Sequence, residues 1–87
     1  LKTPVEHTVY PMSQRKIDHV IAQYAAATRR AIQAGFAGVE ISNAQRLLPQ
    51  QFFSPFSNQR DDQYGPQSIE NRARFGVEVT AACQKVI

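Results

Sequence analysis

The sequence predicts an α/β fold, and three observations carry that prediction. Two stretches have helical periodicity, a short run containing Val and Ile follows the first of them after a single Gly, and a long aperiodic connection separates that run from the second helix. A helix, a strand and a helix in this order make one and a half βα units of a parallel sheet.

Residues 1–12 contain Pro4 and Pro11 and show no period, so they read as a connecting segment. Ser13 is the predicted N-cap of the first helix. Beyond it Ile17, Val20, Ile21, Tyr24, Ala25, Thr28, Ala31 and Ile32 recur at three- and four-residue steps, which places them on one face. The opposite face, with Arg15, Asp18, Arg29 and Arg30, is solvated. The helix should end near Ala34, with Gly35 taking the left-handed conformation at its C-terminus.

Phe36 to Ile41 is the predicted strand. Alternation would send Val39 and Ile41 toward the helices and turn Glu40 and Ser42 to the other side, where a buried Glu40 needs a partner. Residues 42–67, with Pro49, Pro55, Gly65 and Pro66, form a long connection holding at most a helical turn in RLLPQQFF. Phe52, Phe53, Phe56 and Tyr64 give it the aromatic content of a loop anchored by packing. Ser68 is a second predicted N-cap, with Glu70 in the first turn. Ile69, Ala73, Phe75, Gly76, Val77, Val79, Thr80, Ala82, Cys83 and Val86 make the last helix broadly apolar, suited to lying on a sheet.

One buried strand needs neighbours, and a core supplied by 87 residues is marginal. The expectation is therefore one contiguous slice, residues 1–87, of a single larger domain with no internal boundary. The formal charge is +3, but the ten Lys and Arg are scattered among seven carboxylates, which argues against nucleic-acid binding. The lone Cys83 excludes an internal disulfide and reads as a small core residue. His7 and His19 lack the spacing of a metal pair, and no apolar run is long enough to span a membrane. A cytoplasmic location is the default expectation.

In α/β folds the catalytic groups gather at the C-terminal ends of strands, which points to Ser42 and the loop after it. Three pieces in this region agree with one known segment: AGFAGVEIS over 34–42, RLLPQQFFSP over 46–55 and SNQRDDQYGPQSIENRARF over 57–75. They resemble AGFDGVEIH, GYLLDQFLSP and SNxRTDxYGGSxENRARF of the Old Yellow Enzyme family, the flavin-dependent NAD(P)H oxidoreductases. The resemblance implies a fragment of a (β/α)8 TIM barrel that binds FMN and passes hydride from NADH or NADPH to a small-molecule electron acceptor. A homo-oligomer is compatible with it.

The resemblance also implies site residues. The family's substrate-binding His-x-x-His or His-x-x-Asn pair aligns with Ser42 and Gln45, and the Tyr that acts as acid in many relatives aligns with Leu47. Ser and Gln still donate hydrogen bonds to a substrate oxygen, but Leu47 has no proton to give. Pro66-Gln67 replaces the second Gly of the family's YGGS, which lengthens that connection by one residue. Glu70, Asn71, Arg72 and Arg74 read as a structural cluster, with Arg72 or Arg74 the expected partner of Glu40. The main flavin contacts are implied to lie outside this chain. Two other readings stand beside an oxidoreductase with an unusual acceptor: a catalytically silent barrel kept for binding or assembly, and a self-folding interaction module.

Overall fold

The computed structural model describes residues 10–87. Its first helix, α1 (Gln14–Gln33), starts where the Ser13 side chain accepts a hydrogen bond from the Lys16 backbone N–H at 3.1 Å. At its other end the Gly35 N–H donates to the Ile32 carbonyl and the Phe36 N–H reaches back to Ala31, with Gly35 at φ 99°. This pair of bonds is a Schellman closure, which only a residue tolerant of positive φ completes without strain. Within α1 the predicted face holds throughout. Ile17 and Thr28 are buried, the other six predicted residues are half-buried, and the remaining positions are exposed. Thr28 satisfies its hydroxyl by donating to the Tyr24 carbonyl at 2.9 Å.

A six-residue helix, α2 (Leu48–Phe53), occupies the predicted helical turn, with Pro49 in its first turn, where a missing N–H costs nothing. The last helix, α3 (Ile69–Gln84), is capped by the Ser68 hydroxyl, which accepts from the Asn71 N–H at 3.1 Å. Glu70 lies in its first turn, on the favourable side of the helix dipole. Helix α3 packs against both α1 and α2.

The core lies where the three helices meet and consists of Ile17, Phe52, Tyr64, Phe75, Val79 and Cys83. Phe52 and Phe75 stack with ring centroids 4.4 Å apart, while Tyr64 meets Phe52 and Tyr24 meets Phe75 edge-on. Cys83 is a buried free thiol, as expected of a small core residue.

Two expectations are corrected. The predicted strand at 36–41 is not a strand, and the described residues are helical with irregular connections. The reason is physical: a strand exists through the ladder it shares with a neighbour, and no other described segment offers one. Neither the sheet nor the barrel is therefore visible among the described residues, although Ile41 does pack on the core as alternation predicts. Val39 stays exposed. The broad apolar face of α3 also divides. Phe75, Val79 and Cys83 are buried, but Ile69 and Val77 face outward. Among the described residues no helix is long and apolar enough to cross a membrane.

Candidate functional site

The segment after α1 carries the predicted site residues, and all of them are exposed. Glu40, Ser42, Gln45 and Leu47 each face solvent, and neither Ser42 nor Gln45 hydrogen-bonds through its side chain to another described residue. Asn43 lies between them and turns toward α3, where its Oδ1 sits 3.5 Å from where a Cβ on Gly76 would be. Ser42 and Gln45 are thus presented together as uncommitted neutral donors.

The backbone beside them is unusual. Gln45 and Arg46 both have positive φ, 59° and 61°, and the Leu47 N–H closes the turn on the Ala44 carbonyl at 3.1 Å. Two central residues with φ above zero are the signature of a type I′ turn, which favours Asn-Gly and disfavours side chains such as these. Two glutamines of α2 hold the turn. The Arg46 N–H donates to Gln50 Oε1, and Gln51 Nε2 donates to the Arg46 carbonyl at 2.7 Å.

The second half of the connection is built differently. Asn58, 4% exposed, donates from Nδ2 to the carbonyls of Phe52 and Tyr64, both at 2.6 Å, and its Oδ1 accepts from the Arg60 N–H at 3.0 Å. One side chain thereby ties the end of α2 to the turn before α3. Arg60 forks onto Asp62 through Nε and Nη2 at 3.1 and 2.6 Å, and its Nη1 reaches the Met12 carbonyl at 2.6 Å. That paired donation from Arg60 is the main reason the Asp62 carboxyl is held below its ordinary pKa. Asp62 also accepts from the Tyr64 N–H at 3.1 Å, which fixes a polar bend.

Tyr64 carries the bend into the core. Its hydroxyl donates to Glu78 Oε1 at 2.6 Å and accepts from Gln14 Nε2 at 3.3 Å. Burial raises the phenol's pKa, and the neighbouring Glu78 carboxylate adds to the shift against the opposing bond from Gln14. Gly65 is pinched: a Cβ there would lie 2.4 Å from the Arg60 carbonyl oxygen. The lengthened Pro66-Gln67 connection is taken up locally, since Gln67 Nε2 donates back to that carbonyl at 3.0 Å.

The arginines of α3 do not take the expected partner. Arg74 Nε donates to the Gln63 carbonyl at 2.9 Å and its Nη2 to Asn71 Oδ1 at 3.0 Å. Arg72 lies over the Phe53 ring at 5.1 Å, and its buried Nε has no acceptor. Among the described residues Arg60–Asp62 is the ion pair, and Glu40 is joined to neither arginine. The carboxylate sits on a segment that no sheet holds against α3, so the two cannot meet here.

Sequence reasoning missed the parts that depend on distance. Nothing in the sequence separates Asn58 from the other polar residues of its loop, and Glu78 lies 14 residues from its tyrosine. Of the four aromatic anchors, Phe52 and Tyr64 are buried, whereas Phe53 is half-exposed and Phe56 is 91% exposed. His19 is exposed, and His7 lies outside the described residues. Among the described residues no group of His, Cys, Asp and Glu gathers as a metal site would.

Comparison with known proteins adds to this geometry. An uncharacterised oxidoreductase of Streptococcus pyogenes is 55% identical over 87 residues, all of this chain and 22% of its own length. NADPH dehydrogenase of Clostridium acetobutylicum is 45% identical over 85 residues, 98% of this chain and 23% of its own. A solved structure of morphinone reductase superposes with a TM-score of 0.86 at 42% identity, covering 92% of this chain and 21% of that one. A second morphinone reductase structure holds tetrahydroNAD. The chain thus spans about a fifth of the length of these relatives. The family is FMN-dependent and draws its electrons from NADH or NADPH. Its sequence profile matches residues 3–87, and the chain belongs to the NADH:flavin oxidoreductase / NADH oxidase family.

Proposed function

We propose that this chain is the acceptor-binding segment of an FMN-dependent NAD(P)H oxidoreductase built as a (β/α)8 barrel. The observation that carries this reading is the pair of exposed, uncommitted donors Ser42 and Gln45, at the positions where the family binds its substrate. In the parent, residues 36–41 complete a strand against neighbours outside the described residues, and Ser42 stands at its C-terminal end.

The described residues suit the acceptor side of a flavin site rather than its phosphate side. Arg60 is bound to Asp62 and the Met12 carbonyl, Arg74 to Gln63 and Asn71, and Arg72 lies over Phe53. Arg60 and Arg74 are thus committed within the chain, and the phosphate falls to strands beyond it. When bound, FMN supplies the hydride.

The Ser42 hydroxyl and Gln45 amide act on the acceptor oxygen, where negative charge grows as hydride arrives; each such aimed donor is worth about 10² to 10³ in rate. Leu47 gives no proton, so the acceptor's carbon is protonated by water or by a group outside this chain. Loss of a positioned acid costs about 10² to 10⁴. Acceptors activated enough to do without that acid therefore suit this protein best. The same three changes favour a second reading, a silent barrel kept for binding or assembly. The 87-residue chain alone neither holds FMN tightly nor turns over.

A visible absorption spectrum of the full-length parent, followed by anaerobic addition of NADH and NADPH, tests the proposal. An oxidised-flavin band that bleaches is the expected result. No flavin after reconstitution with FMN would overturn it in favour of the silent barrel.

A further inference from the structure

Between Glu40 and Arg60 the chain carries a single charged side chain, Arg46. It follows Gln45 directly, it is exposed, and among the described residues its guanidinium has neither a hydrogen-bond acceptor nor a carboxylate partner. Its backbone is in the left-handed region, at the position that is Gly in the family's GYLL. An arginine there forgoes the conformational ease of glycine, and the turn is secured from both sides by Gln50 and Gln51. A strained position that its surroundings hold in place points to a use for the side chain it displays.

The charges of the site give that use a direction. A His pair is able to bring positive charge to the acceptor oxygen, whereas Ser42 and Gln45 are neutral. Arg46 restores a permanent cation in the same exposed turn, one residue after Gln45 and four after Ser42. A guanidinium in that place recognises a planar anion through paired N–H donors.

We propose that Arg46 is a specificity-determining residue that selects acceptors bearing a carboxylate, so that the preferred substrates are activated alkenes carrying an anionic substituent. This rests on the oxidoreductase reading above. The cation attracts the carboxylate and leaves the site's handling of a neutral acceptor nearly unchanged. The discrimination therefore appears in KM more than in kcat.

The test uses the full-length parent, reduced anaerobically with NADPH and reoxidised by fumarate or by dimethyl fumarate, which share a skeleton and differ in charge. Arg46→Gly should raise KM for fumarate by about 10-fold and change that for the diester by less than about 2-fold, with Arg46→Lys falling between. In the unaltered protein, added salt should raise KM for fumarate alone. Equal effects on both acceptors, or reoxidation by neither, would overturn the proposal. So would a loss confined to bleaching by NADPH, which would assign Arg46 to the nucleotide's phosphates. A parent that takes up no FMN defeats the oxidoreductase reading as well; one that bleaches normally but shows no charge selectivity defeats only this inference.

Discussion

The two halves of the connection between α1 and α3 are held in opposite ways. From Ser54 to Ser68 nearly every bend is tied by a bond made within the chain, with Asn58, Arg60, Asp62 and Tyr64 each meeting two or more partners. From Phe36 to Ala44 the chain has a single anchored apolar side chain, Ile41, and its polar groups face outward. The first region is a finished scaffold. The second is an exposed edge on which Ser42 and Gln45 keep their side chains uncommitted. Stability should therefore respond to substitutions in the scaffold and activity to substitutions on the edge.

The sharpest way to break this contrast is Asn58→Ala in the full-length parent. It strips partners from two carbonyls and one N–H in a buried place, so it should cost about 2 to 4 kcal/mol, read as a lower thermal midpoint. A loss below about 0.5 kcal/mol would mean that Asn58 is not the hub its bonds suggest. Tyr64→Phe comes next, at about 1 to 2 kcal/mol, because it deprives the Glu78 carboxylate of its donor while keeping the ring.

Asp62→Asn should have a smaller effect with a distinctive pH dependence. The carboxyl's folded pKa lies below its unfolded value of 3.8, so its contribution is present above about pH 4 and disappears as pH falls through the folded value. The gap in midpoint between wild type and variant should accordingly close in acid; a gap that widened there would reverse the assignment. Least of all should Ser42→Ala affect stability, by less than about 0.5 kcal/mol, while lowering the rate of acceptor reduction by about 10². If Ser42→Ala unfolded the protein instead, the edge would be part of the scaffold.

The same contrast explains what was legible in the sequence. Local rules were enough wherever the determining atoms lie within one helical turn, as with the caps at Ser13 and Ser68, the closure at Gly35 and the face of α1. They failed at 36–41, where pattern alone indicated a strand and the missing ladder partners decided otherwise. They could not find Asn58 or the Tyr64–Glu78 bond either, since nothing in a residue's type says which carbonyl it meets after the chain folds back. The site positions came from a resemblance between whole segments rather than from any periodicity. The Glu40 partnership depended on a sheet to bring its two ends together. Arg72 Nε, likewise, is buried without an acceptor among the described residues, which no residue pattern announces.

Gly65 sets a limit of another kind. Its contact with the Arg60 carbonyl makes the turn a length gauge that admits no side chain, yet immediately downstream Gln67 folds back onto the same oxygen and absorbs an additional residue. The extra residue is thus accommodated beside Gly65 itself, and the Ser68 cap of α3 still forms.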